Sequence, residues 1–299
     1  MSIGILESAR QIQPTGLLLD IYTDSCVAYS LRKLRTAYAG PCIKVRRSTD
    51  NTTLDIGFVG GIVDTTAITV FCIGADGFID TWYNQGTAAV GNVSATAVSG
   101  AQPIIYSGGT IILQNGKPTI TFDGISDVLS TGSHSFLQNV GFASGFSVYR
   151  FTNLQISSVN IILNVTTSAS NSTRYRIAPV STSGFYNIAA RRNDADTLTS
   201  LTSIATTNLS NNVLHTGIIN YSQAYAYQYI NGQLDGFSSS FLTAGSTSNT
   251  ASTNLSVGSG NGGANYARAY ISEIILFNTD QKYGRQGIET NINKFYNIY

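Results

Sequence analysis

The chain has 299 residues, 11% of them charged, about half the usual share for a soluble protein, while 42% are hydrophobic. Seventeen Lys and Arg against 16 Asp and Glu leave a formal charge of +1, too little for the electrostatic footprint of a nucleic-acid binder. With 17 Tyr and 13 Phe the chain buries enough apolar surface to offset chain entropy, which excludes disorder. No apolar run reaches the roughly 18 to 20 residues of a membrane span, and MSIGILESARQIQ lacks a basic start followed by an apolar core. Neither membrane insertion nor a secretory signal is expected. Cys26, Cys42 and Cys72 are an odd set, which favours synthesis in a reducing cytosol.

In chain order, Ile3, Ile5, Leu6, Ala9 and Ile12 fall near helical spacing before Pro14. Residues 1–14 are therefore read as an N-terminal attachment segment, with Ile3, Ile5, Leu6 and Ile12 as the docking side chains, and residues 15–299 as one domain. In DSCVAYSLRKLRTAY, Ser25 is placed to cap a second helix with Val27, Leu31 and Leu34 on one face. From residue 41 the period becomes two: CIKVRR, TLDIGF, TVFC, FIDTWY, TIILQ and PTITF, then GFSVYRF, VNIILNV, RYRIAPV, FYNIAAR, HTGIINY, AYQYINGQLDG, NLSVGS and YISEIILFN. Asn115-Gly116 and Asn231-Gly232 predict two-residue hairpin turns. Ser, Thr and Asn crowd residues 199–212 and 245–254, which read as long loops or loop-flanked edge strands. A last helix is predicted over Thr279–Phe295, with Tyr283, Ile288, Ile292 and Phe295 as its apolar stripe. So many short strands with marginal helices indicate an all-β fold of two packed antiparallel sheets.

Residues 28–85, with AYSLRKLRTAYAGPCIKVRRSTDNTTLDIGF, VDTTAITVFC and FIDTWYNQG, resemble the opening half of the catalytic domain of α-L-arabinofuranosidase B. Further on, GKPTITFDGISDVL, AYQYINGQLDG and ARAYISEIILFN are similar to the grammar of laminin-G and concanavalin-like sandwiches. The resemblance implies a concanavalin A-like antiparallel β-sandwich with a short helix near the N-terminus and a C-terminal helix. Such blocks also recur in bacteriophage virion proteins, and MSIGILESARQIQP is similar to the start of such proteins.

Retaining glycoside hydrolysis uses two carboxyls roughly 5 Å apart, one nucleophile and one general acid/base. The resemblance places the nucleophile within RYRIAPVSTSGFYNIA and the acid/base at the segment Leu255–Asn261. The chain has three glutamates, Glu7, Glu273 and Glu289, no carboxylate between Asp127 and Asp194, and none between Asp235 and Glu273. The acid/base position falls on Gly260, with Ser259 or Asn261 one residue away. The resemblance also implies a disulfide from Cys72, whose partner position is Gly77. No catalytic residues are therefore assigned, and the chain is expected not to be an enzyme.

Other candidates carry alternatives. Asp123-Gly124 and the Asp194/Asp196 pair suit either turn formation or weak calcium binding, and no other cofactor or metal is expected. His134 and His215 lack the neighbours of a zinc site. Arg32, Lys33, Arg35, Lys44, Arg46 and Arg47 suit a solvated face or an anionic partner. Tyr225, Tyr227 and Tyr229 alternate on one strand face, which suits a glycan platform, the inner wall of the sandwich or a subunit interface. The combined expectation is a non-catalytic bacteriophage virion structural protein of tail or head fibre. It would be assembled in the host cytoplasm, contact other virion proteins, form a homotrimer by analogy, and hold host surface glycans weakly. The alternative is an arabinofuranosidase-like depolymerase of cell-surface polysaccharide.

Overall fold

Period-two apolar patterning demands two faces, one for a core and one for something else, and the fold supplies both. The computed structural model describes residues 16–87, 90–95, 99–153, 160–167, 172–180, 184–260 and 265–299. The attachment segment proposed for residues 1–14, with Ile3, Ile5, Leu6 and Ile12, lies outside them.

The first sheet runs Thr53–Ile56, Ile43–Arg47, Gly77–Trp82, Val93–Ala95, Leu129–Thr131, Asn254–Val257, Leu163–Thr166, Thr173–Val180, Phe185–Ala190 and Thr199–Thr206, every neighbour antiparallel. The second runs Gln233–Ser238, Tyr225–Ile230, Val213–Asn220, Phe142–Phe151 and Arg268–Phe277. The far edge of this last strand pairs with Ser25–Ser30 and then with Ile120–Asp123. Strand Ile104–Ser107 bonds to both Ile120–Asp123 and Gly77–Trp82 and so links the two sheets. The sequence-based expectation of an all-β antiparallel sandwich is met.

Between the sheets lies the main core. It takes Val45, Ile79, Leu129, Val165, Tyr175, Ile177, Ile188 and Val257 from the first sheet and Val27, Tyr29, Phe122, Tyr149, Ile219, Ile274 and Leu276 from the second. A smaller core covers the outer face of the second sheet. There Ala28, Phe146, Val148, Leu214, Ile275 and Phe277 meet Ile288, Ile292 and Tyr296 of the C-terminal helix, together with Leu18, Leu19 and Leu34. The first sheet has no such cover of helix on its outer face among the described residues.

Hairpin chemistry follows the sequence. Asn115 and Gly116 take φ of 48° and 71°, and Asn231 and Gly232 take 51° and 78°, the paired positive φ of type I′ turns. Three predicted elements are corrected. The helix placed after Ser25 is strand Ser25–Ser30, buried along its whole length. It is sandwiched between the two cores, so it shows no alternation, and Leu31 and Leu34, which looked like one helical face, enter different cores. TVFC, read as a strand, forms the end of helix Thr65–Phe71 with Cys72 as its C-cap, and at the helix start the Asp64 side chain accepts the Ala67 N–H at 2.9 Å. The last helix is Arg285–Tyr296, shorter at its start than predicted. Tyr283 precedes it and is 91% exposed, and Tyr296 completes the buried stripe instead.

Candidate functional site

Because side chains alternate along a strand, the residues next to the inward-facing ones form rows on the outer face of the first sheet. Direct cross-strand partners define one row: Ser200, Ala189, Arg176, Asn164, Ser256, Ser130, Ser94, Thr81, Lys44 and Asp55. Only Ala189 in that row lacks a polar group. The Thr81 and Ser94 hydroxyls are 3.1 Å apart. At the centre Asn164 and Ser256 are nearly fully buried, while Arg176 is half-buried. A polar row burying its own centre marks this face as the candidate site.

Arginines dominate one side of it. Arg174 and Arg176 share a strand face, and the Arg191 N–H bonds to the Thr173 carbonyl at 2.8 Å, which carries Arg191 alongside them. The fully buried Arg174 pairs with Asp194 at 2.6 Å and also bonds to Ser248, while the Thr167 hydroxyl donates to the same carboxylate. Burial opposes ionisation of Asp194, yet Thr167, Thr250 and Arg174 together hold its carboxyl below the usual range. Arg176 is different. Among the described residues it has no carboxylate beside it: burial and then the nearby Arg191 charge lower its guanidinium to about 10, and its Nε, like those of Arg174 and Arg191, is buried without a partner.

Both catalytic positions implied by the resemblance fall on or beside this face, without carboxyls. The strand expected to bring the nucleophile presents Arg174 and Arg176, and its neighbour presents Asn187. At the acid/base segment the Ser256 hydroxyl donates to the Ser259 carbonyl and that of Ser259 to the Gly260 carbonyl, each at 2.7 Å. Gly258 has φ +83°, and a Cβ there would stand 2.2 Å from the Phe122 ring. Asn261 lies outside the described residues.

Glu273 and Glu289 lie behind the second sheet instead. Glu273 accepts from Arg32 Nε and Nη2 at 2.8 and 2.9 Å and from Ser30 at 2.7 Å, and Glu289 binds Thr216 and Arg285. A Cβ at Gly77 would stand 2.8 Å from Cys72 Sγ, so the two positions adjoin as the implied disulfide requires, but only one carries sulfur. Cys26, Cys42 and Cys72 are buried free thiols.

The remaining candidates separate in space. Asp123 Oδ1 accepts the N–H groups of Ile125, Ser126 and Asp127 at 2.8, 2.9 and 3.1 Å, and Asp127 Oδ2 accepts the Asp123 N–H at 2.8 Å. Burial, then the Asp123 charge, raises Asp127 to about 7. Asp196 accepts the Asn193 N–H at 2.9 Å. Among the described residues no three His, Cys, Asp or Glu side chains converge as a metal site would.

The basic cluster of residues 32–47 is dispersed: Arg32 is buried against Glu273, Arg46 bonds to Gln102 and Asn51, and Arg47 pairs with Asp50. Tyr225, Tyr227 and Tyr229 do share a face, but it is the outer face of the second sheet. Tyr227 stacks on Tyr229 and Phe237 at 6.3 and 4.8 Å, Lys282 Nζ reaches the Tyr227 hydroxyl at 3.1 Å, and Arg285 covers Tyr229 at 3.9 Å. They are thus not on the wall between the sheets. The signal for the arginine face was in the sequence as Arg174-x-Arg176 and Arg191-Arg192 within a carboxylate-free stretch.

Comparison with known proteins agrees with this fold. Residues 19–110 match the family model described as α-L-arabinofuranosidase B, catalytic. No curated protein matches the chain. Among solved structures, an arabinofuranosidase complexed with arabinofuranosyl-α-1,2-xylobiose and a GH54 α-L-arabinofuranosidase soaked with a cyclic sulfate inhibitor each align with a TM-score of 0.63 at 14% identity, over 92% of this chain. The aligned region spans 64% of the length of those structures. In family terms, the chain is a β-sandwich with the fold of the GH54 arabinofuranosidases, and its residues 19–110 match the sequence model of their catalytic domain.

Proposed function

We propose that this protein is a non-catalytic, glycosidase-like sandwich that holds saccharide on the outer face of its first sheet and serves as a structural component of a bacteriophage particle, in its tail or head fibre. One observation carries the first half. The strands expected to bring a nucleophile present arginine and asparagine, and the acid/base segment presents glycine and serine, so neither position that the resemblance implies carries a carboxyl, and the Asp194 carboxylate beside them is taken up by Arg174 and Thr167. The hydroxyls of the exposed Ser94 and Ser200 and the half-buried Ser130 in the transverse row suit sugar hydroxyls. Support for the particle comes from the likeness of MSIGILESARQIQP to virion proteins. A homotrimer contacting other virion proteins is part of the same reading.

Two measurements test it. Purified protein incubated with aryl arabinofuranosides and arabinan is expected to release no sugar above the buffer control while retaining glycan on an array. Release of sugar that disappears in Asp127→Asn would replace this reading with a hydrolase, since Asp127 and Asp123 form the carboxyl pair with the most divergent ionisation. Co-sedimentation with purified particles is expected, and its absence in a lysate of infected cells would remove the virion assignment.

A further inference from the structure

We infer that the Arg176–Arg191 pair is a recognition site for the carboxylate of an acidic saccharide, a uronate-bearing chain laid along the polar row of the first sheet. The inference rests on the saccharide-holding reading above and names its ligand class.

Charge arithmetic leads to it. Between residues 128 and 234 the chain carries Arg150, Arg174, Arg176, Arg191 and Arg192 against Asp194 and Asp196 alone. Asp194 is engaged by Arg174 and Thr167, and Asp196 accepts a backbone N–H. Arg150 lies against Tyr270 and bonds to the Ser210 carbonyl, and Arg192 reaches the Ser246 carbonyl. Arg176 and Arg191 make no ion pair and no side-chain hydrogen bond among the described residues.

A guanidinium does not discharge at physiological pH, so two of them, half-buried side by side, leave a positive site that an anion relieves. The fork geometry of guanidinium matches a carboxylate through two parallel N–H···O bonds. Across the strands from Arg176, Asn164 and Ser256 are buried and bonded to Thr173 and Ser259, and the row then reaches the half-buried Ser130 and the exposed Ser94, whose hydroxyls suit those of further sugar rings. Burial of the Arg176 guanidinium strengthens any such pairing by thinning the water around it.

The test is calorimetric titration of the full chain with oligogalacturonide, oligomannuronide and oligoguluronide, each beside its carboxyl-reduced counterpart. At least one acid is expected to bind ten times or more tighter than its reduced form, with affinity falling as salt rises. Arg176→Gln and Arg191→Gln are each expected to cost tenfold or more for the acid and little for the neutral chain, and Arg176→Lys to recover part of the loss. Circular dichroism verifies folding of each variant. Equal binding of acid and reduced chains, or unchanged affinity in both Gln variants, overturns the inference while leaving the saccharide-holding reading intact. Tighter binding of a sulfated oligosaccharide than of every uronate overturns the carboxylate assignment. Failure of every saccharide overturns both.

Discussion

The two outer faces of the sandwich handle charge in opposite ways. Behind the second sheet every buried cation has its anion: Arg32 is held by Glu273 with Ser30 and Tyr296 nearby, and Arg285 by Glu289 with Thr216. On the first sheet Arg174 has Asp194, but Arg176 and Arg191 have no such partner among the described residues. The first arrangement is finished and holds a helix on a sheet. The second has no counter-charge among the described residues, which is what the proposed uronate would supply. Two faces of one fold thus divide into one that serves stability and one free to serve binding.

The largest expected effect tests the finished side. Glu273→Gln leaves Arg32 buried without its counter-charge and is expected to cost about 3–5 kcal/mol in denaturant unfolding. A loss below about 1 kcal/mol would erase the distinction between the faces.

The same contrast of paired and unpaired extends to the two histidines. His215 bonds to Tyr149 at 2.8 Å and Gln228 at 3.2 Å, whereas both ring nitrogens of the buried His134 lack partners. Burial lowers His134 to about 4 from an ordinary 6.5. The unfolded chain therefore binds that proton first, and stability falls as pH drops from 6.5 to 4, at up to about 1.4 kcal/mol per unit. His134→Phe, packed against Phe136, is expected to remove this slope, giving a gain of roughly 1–3 kcal/mol at pH 4 that vanishes above pH 7. His215, lowered to about 3 by burial with Gln228 opposing, retains its own slope in the variant.

Arg176→Gln sharpens the comparison from the other side. With no partner to strand, it is expected to leave unfolding stability within about 1 kcal/mol of the parent, on the stable side. A loss like that of Glu273→Gln would make Arg176 a structural residue. The smallest effect is expected at the tyrosine ladder. Tyr225→Ala, on a half-buried edge, should cost about 1 kcal/mol or less and leave glycan affinity unchanged. A fall in affinity would move the sugar to the second sheet.

Much of the fold was legible because hairpin chemistry and period-two alternation are local. Asn-Gly pairs at 115 and 231 announced their hairpin turns, and the alternation of RYRIAPV and NLSVGS showed which side chains share a face, though not which strands pair. Ser25–Ser30 was not legible, because a strand covered on both sides shows the sequence no polar face, and its Val27, Leu31 and Leu34 mimic a helix. TVFC was misread for the opposite reason: β-branched residues were overridden by the Asp64 cap. At the site, the missing carboxyls were visible in the sequence, whereas the pairing of Arg176 with Asn164 and its nearness to Arg191 depend on strand register across long separations.

Strand Arg268–Phe277 is hydrogen-bonded to Ser25–Ser30, Ile120–Asp123 and Phe142–Phe151 at once. During synthesis at about 5–20 residues per second, the ribosome takes on the order of ten seconds or longer to deliver it after Ser25–Ser30 has emerged. Until then three nascent strands wait with open edges, templates for pairing with a neighbouring nascent chain. The sandwich therefore closes only once this strand has been delivered, and the three open edges need shielding until then.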